Sequence, residues 1–174
     1  IRKGKFMKAV ITSGYGSVDV LEVKDIGKPK INDKEILIRV YACSVNPIDW
    51  KIRKGQLKIV SGKKPPRILG GDFSGKVEAL GKEVTAFNIG DEIWGHINAL
   101  YGGGYAEYVK VKAENIYYKP ENFDFIQAAA IPLAGLTAYQ SLVDYGKVKE
   151  NSEILINGCT GGVGSVAVQV AKFL

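Results

Sequence analysis

The chain has 174 residues, 46% of them hydrophobic, with 24 Lys and Arg against 18 Asp and Glu and a formal net charge of +6. That is enough apolar material for a buried core, and the length suits one domain plus part of a second. No apolar run is long enough to span a bilayer or to serve as a signal-peptide core, and the lysines are scattered apart from local groups at Arg2 to Lys8, Lys51 to Lys58 and Lys63 to Arg67, which reads as a solvated surface rather than a nucleic-acid face.

Met7-Lys8-Ala9-Val10 reads as a natural beginning, which makes Ile1 to Phe6 an upstream extension. From Lys8 to about Val111, short apolar runs alternate with Gly, Pro and Asn/Asp turns, the pattern of an all-β barrel or sandwich. Strands are predicted at Lys8 to Thr12, Val18 to Lys24, Glu35 to Ser44, Phe73 to Leu80, Asp91 to Gly95 and Tyr105 to Val111. In the third of these Ile36, Ile38, Val40 and Ala42 share one face by the period of two. A short helix interrupts the strands at Asn46-Pro47-Ile48-Asp49-Trp50, with Asn46 as cap, Pro at the first helical position and Gly55 as the stop. The two cysteines, Cys43 and Cys159, fit a reducing compartment, with the cytoplasm as default.

After Pro120 the segment Phe125 to Ala130 is helix-prone, Pro132 interrupts it, and Leu136 to Tyr145 forms a second helix that ends at Gly146. Ile154 to Asn157 is predicted as a buried strand, followed by a glycine-rich turn and an Ala/Val-rich helix from Ser165 to Leu174. The expected boundaries are residues 1–125 for a β domain and 126–174 for linking helices and the start of an α/β domain. One strand and one helix are too little for a Rossmann crevice, so the chain reads as the front portion of a longer enzyme.

The G-x-G-x-x-G pattern fits this turn only with Cys159, Gly161 and Gly164 in the glycine places, so the first glycine is missing. Gly161 would let a pyrophosphate approach the backbone, and Gly164 would let the helix pack close to the strand. Gly158 and Gly162 add further freedom, and the free N–H groups from Gly162 onward, with Val163 and Gly164, would face the anion. A flexible strand-to-helix connection is the plainer alternative.

Several motifs in fixed order resemble the medium-chain dehydrogenase/reductase superfamily, and within it the zinc-independent quinone oxidoreductase branch related to zeta-crystallin. They are Val45-Asn46-Pro47-Ile48-Asp49, Leu69-Gly70-Gly71-Asp72-Phe73-Ser74-Gly75, Gly90-Asp91-Glu92-Ile93-Trp94-Gly95, Gly104-Tyr105-Ala106-Glu107-Tyr108, Pro132-Leu133-Ala134-Gly135-Leu136-Thr137-Ala138-Tyr139 and the glycine turn. The resemblance implies a mainly β GroES-like barrel that forms the substrate domain, followed by the first β-α unit of an incomplete α/β Rossmann domain. It also implies a nicotinamide cofactor, NADP(H) in preference to NAD(H), a small-molecule quinone or enone substrate, and a homodimer in the full-length form. The residue that separates the two cofactors lies about 20 positions beyond the glycine motif, past Leu174.

Zinc-dependent relatives carry a cysteine and a histidine near Asn46-Pro47, and Gly-His-Glu where this chain has Gly70-Gly71-Asp72. A catalytic zinc takes about three Cys, His or carboxylate ligands, and the single histidine here, His96, is expected at a loop or cleft rim, so no zinc is expected. Metal-free hydride transfer to a conjugated acceptor is the chemistry this leaves, because the charge that develops spreads over the π-system and a few hydrogen-bond donors stabilise it. The resemblance places Asn46 near the nicotinamide and the substrate, as the candidate catalytic and cofactor-binding group, and brings Thr137 toward the nicotinamide. Helix capping by Asn46 and ordinary helix packing by Thr137 stand beside those roles. Asp49 is expected to support its helix, Asp72 to accept hydrogen bonds from backbone or arginine, and Tyr105 to begin a strand or border a mobile Gly102-Gly103-Gly104 loop. Trp50 and Arg53 fit a pocket lining, core packing or surface charge equally. A non-catalytic binding fragment and, on the basic surface, a nucleic-acid-binding relative are the alternative functions.

Overall fold

The computed structural model describes residues 5–65 and 67–174, so residues 1–4 of the expected upstream extension lie outside it. The chain divides into two compact units, Ile1–Ala130 and Ile131–Leu174.

In the first unit, β1 (Phe6–Thr12) pairs antiparallel with β2 (Leu21–Gly27), and its alternate residues Met7, Ala9 and Ile11 are buried. A second sheet contains β3 (Glu35–Cys43), β4 (Asp72–Leu80), β5 (Glu92–His96), β6 (Tyr108–Lys112) and β7 (Ile116–Tyr118), in the spatial order β6-β3-β4-β5-β7 and antiparallel throughout. The period-two alternation sends Ile36, Ile38, Phe73, Val77, Ile93, Val109, Val111 and Ile116 to one core with Phe87. Burying each of these larger side chains contributes about 1.5–3 kcal/mol relative to exposure. The two sheets join where Val10 N–H donates to Tyr105 O (2.8 Å) and Glu107 N–H donates to Lys8 O (3.0 Å).

Helix α1 (Pro47–Arg53) starts as expected, with Asn46 at its N-cap and Pro47 in the first turn. Gly55, at φ 76°, turns the chain out of it, and the helix packs through Ile52 onto Leu69 and Ala99. A further turn, α2 (Lys58–Ser61), and the helix α3 (Phe125–Ala130) complete the unit. Helix α3 occupies the predicted residues and buries Ala128 and Ala129.

Several local expectations are corrected. Val18–Val20 is a 3₁₀ turn in which Ser17 Oγ accepts from Asp19 N–H, so β2 starts only at Leu21. A serine followed closely by an aspartate favours a local cap over a ladder. Residues 105–107 bond to β1, and β6 proper begins at Tyr108. The short β7 and α2 carry too little periodicity to be read from sequence.

In the second unit Pro132 interrupts the helical run as expected, since α3 ends at Ala130, but it also opens the next helix, which begins at Pro132 and not at Leu136, because its missing N–H costs nothing in a first turn. Helix α4 (Pro132–Tyr139) continues to Tyr145 in a wider winding in which Gly146 N–H reaches Ser141 O (2.9 Å). Helix α5 (Gly162–Phe173) follows the glycine turn, and Ala138, Leu142 and Ala167 form the small core of this unit. The expected buried strand at Ile154 to Asn157 is absent: Leu155 is 95% exposed and the segment has no ladder partner among the described residues. A parallel strand obtains its ladder only from neighbouring strands, and this unit has no other strand among its described residues.

Gly75 lies in mid-strand where β3 bulges between Val40 and Ala42, and a Cβ there would collide with the Arg39 carbonyl oxygen. Gly75→Ala is therefore expected to destabilise the first unit by about 1–3 kcal/mol. A urea midpoint equal to that of the unsubstituted chain would contradict this packing.

Candidate functional site

A polar cluster forms where β4 begins. Asp72 and His96 are opposite one another in the antiparallel β4–β5 register. The carboxylate of Asp72 is fully buried, and its Oδ1 lies 2.6 Å from His96 Nδ1. Its Oδ2 accepts from Ser44 Oγ (2.9 Å) and from Asn46 Nδ2 (2.8 Å). The Asn46 amide also donates to Ser44 Oγ (3.0 Å), so the segment leaving β3 is tied to the first residue of β4. Gly71 makes room for the imidazole, since a Cβ at that position would lie 2.6 Å from His96 Cε1 and 2.7 Å from Ile97 O.

A second carboxylate adjoins the first. Asp49 Oδ2 accepts from Asn46 N–H (2.8 Å), anchoring the start of α1, and from Tyr105 OH (2.9 Å). Asp49 is buried, and its Oδ1 and the Nη1 of buried Arg53 have no hydrogen-bond partner among the described residues. Burial raises the Asp49 carboxyl above the ordinary aspartate value, and the charge of Asp72 adds to this against the opposing hydrogen bonds from Asn46, Tyr105 and Gly70. Burial and then the Asp49 charge push the Tyr105 phenol far up, so it acts as a hydrogen-bond donor.

In the second unit the glycine turn leads into α5. Gly158 has φ 76°, and Gly161 N–H closes the turn on Gly158 O (3.0 Å). A Cβ at Gly164 would meet the backbone of Gly158 and Cys159, so the helix approaches the turn as closely as the sequence implies. Gly161 is the N-cap of α5, and Ser165 N–H bonds back to Gly161 O (2.9 Å). The N–H groups of Gly162, Val163 and Gly164 are then the donors a helix start leaves without intrahelical acceptors. A Cβ at Gly162 would meet nothing within 4 Å, and the residue has no left-handed φ, so nothing within the described chain calls for glycine there. Thr137 is exposed on α4, and its hydroxyl donates to Leu133 O (2.7 Å).

The structure brings Asn46, Asp49, Asp72 and Tyr105 into one network and adds Ser44 and His96, which carry no role in the sequence reading. His96 is the last residue of β5 and not part of a loop, and the partners of Asp72 include the three side chains Ser44, Asn46 and His96. Arg53 is buried and not a surface charge, whereas Trp50 is 38% exposed.

The family model described as the alcohol dehydrogenase GroES-like domain matches residues 32–121. Over 97% of its length the chain is 38% identical to the quinone oxidoreductase of Homo sapiens, covering 50% of that protein. It is 39% identical over 97% of its length to a chloroplastic NADPH-dependent alkenal/one oxidoreductase of Arabidopsis thaliana, covering 45% of it. The solved structure of the quinone oxidoreductase from Coxiella burnetii superposes with a TM-score of 0.87 at 40% identity, the match covering 97% of this chain and 54% of that one. The chain thus spans about half the length of the relatives it matches.

Because the folded state raises the Asp49 carboxyl, its contribution to stability is fully present below the ordinary value of 3.8 and is lost as pH rises through the raised value. Asp49→Asn keeps an oxygen acceptor without the buried charge. Its stability relative to the parent is expected to improve as pH rises from about 4 to neutrality, whereas Asp49→Ala is expected to lose about 1–3 kcal/mol at neutral pH by stranding the Asn46 N–H and the Tyr105 hydroxyl. Urea melts at both pH values measure these differences, and a pH-independent gap between Asp49→Asn and the parent would contradict the burial effect.

Proposed function

From the premise that the chain belongs to the family of the alcohol dehydrogenase GroES-like domain, with quinone oxidoreductases of the medium-chain dehydrogenase/reductase superfamily as its homologues, we propose that the protein carrying it is a metal-free NAD(P)H-dependent reductase of quinones or α,β-unsaturated carbonyl compounds. The observation that carries this reading is the glycine turn. Gly164 is required by close packing inside the chain, but Gly162 is not, and its open side with the free N–H groups of Gly162, Val163 and Gly164 suits the approach of an anionic diphosphate. Gly158 and Gly161 shape the turn around it. NADPH is the expected donor, in line with the name of the Arabidopsis relative.

The bound nicotinamide supplies the hydride, and the polypeptide supplies position and electrostatics. Asn46, held by Ser44 and Asp72, and Thr137, with its hydroxyl on Leu133 O, are assigned to the nicotinamide end. The metal-free part of the proposal draws on the donor set. Both oxygens of Asp72 and the Nδ1 of His96 are engaged in hydrogen bonds, and no group of three His, Cys, Asp or Glu side chains converges among the described residues. This arrangement does not fit the three-ligand shell of a catalytic zinc. A conjugated acceptor needs less polarisation than an isolated carbonyl, which matches such a site. A homodimer in the full-length protein is part of the same proposal.

The test is loss of nicotinamide absorbance from NADPH and NADH in the presence of quinone and enone acceptors, using the full-length protein that contains these residues. Turnover with NADPH that survives chelators is expected, and oxidation of neither cofactor with any acceptor would remove the assignment. Gly162→Ala is expected to leave the melting temperature unchanged or slightly raised, since Ala is the better helix residue, while weakening NADPH binding about tenfold or more. Asn46→Ala is expected to lower kcat about tenfold or more.

A further inference from the structure

We propose that His96 and Asp72 form a proton-transfer pair, with His96 Nε2 delivering the proton that completes reduction of the substrate. The proposal rests on the reductase reading and adds to it a catalytic residue and a positioning residue. The imidazole is 19% exposed, and it is held at Nδ1 by the fully buried Asp72 carboxylate at 2.6 Å. No partner reaches Nε2 among the described residues. A buried carboxylate facing Nδ1 selects the ring form that carries a proton there, which directs all proton exchange to Nε2. The same carboxylate holds Asn46 and Ser44 on its other oxygen, so one anion orients both the candidate substrate-binding amide and the imidazole. Gly71 is the space in which the ring sits. Asp49 and Tyr105 interact electrostatically with Asp72, and Cys43 interacts with Asp49 and Tyr105.

The step balances as follows. Two-electron reduction of the conjugated acceptor leaves an electron pair on its oxygen. That oxygen takes the proton from Nε2 of the doubly protonated ring, so the Nε2–H bond breaks and an O–H bond forms. The ring becomes neutral, keeps Nδ1–H on Asp72, and regains its proton from solvent. No electrons pass through the histidine.

The pair is tested first by nitrogen NMR of the imidazole, its signals assigned by their loss in His96→Gln. In the unsubstituted protein the neutral ring is expected to carry its proton on Nδ1, facing Asp72. In Asp72→Asn the amide oxygen must face the two donors Ser44 Oγ and Asn46 Nδ2, which turns the amide NH₂ toward His96 Nδ1 and moves the ring proton of the neutral form to Nε2. That switch reports whether Asp72 sets the tautomer, and the kinetics of His96→Gln separate a proton-transfer role from a purely structural one. In the full-length reductase His96→Gln is expected to lower kcat for quinone and enone reduction about a hundredfold while NADPH binding stays unchanged. A neutral parent ring protonated on Nε2, or a His96→Gln enzyme with parental kcat, overturns the pair and leaves the reductase reading standing. A parent that oxidises neither cofactor overturns the reductase reading, and the catalytic role of His96 falls with it.

Discussion

A carboxylate with no exposed surface is costly unless each of its lone-pair directions is met, and at Asp72 that demand organises the polar end of the first unit. Ser44 and Asn46 leave β3, His96 ends β5, and all of them bond to one side chain at the first residue of β4. Asn46 then carries the constraint onward, because its backbone N–H binds Asp49 and so fixes the first turn of α1. Asp49 in turn holds the Tyr105 hydroxyl. Loss of one member would leave buried donors or acceptors without partners, so the network behaves as a unit rather than as separate bonds.

How much of this was legible in sequence depended on the range of the interaction. The alternation in Ile36 to Ala42, the Asn-Pro start of α1 and the Phe125–Ala130 helix are local signals, and local chemistry placed them correctly. The Val18–Val20 turn was misread because an apolar, β-branched stretch looks like a strand until the Ser17 cap is considered. The His96–Asp72 pair was out of reach for a different reason. It depends on the register of β4 against β5, and a slip of one residue would turn one of the two side chains to the other face.

Glycine appears here in distinct physical capacities that a motif search treats alike. Gly158 supplies a left-handed φ, Gly164 and Gly75 permit close backbone approach, and Gly162 does neither within the described chain. The sequence pattern ranked them by position in G-x-G-x-x-G, with Cys159 where the first glycine would stand. The structure ranks them by what a methyl group would touch, and on that measure Gly162 meets nothing, as do Gly14 and Gly27 outside the motif.

The uncovered pair Ile154-Leu155, beside an Ile156 that packs on the small core, has a practical consequence for anyone handling these residues as an isolated polypeptide. An extended apolar segment with unpaired backbone groups is a template for edge-to-edge addition of another strand. Concentrated solutions of this polypeptide therefore carry a built-in tendency toward self-association, seated in the second unit and separable from the behaviour of the β-rich first unit.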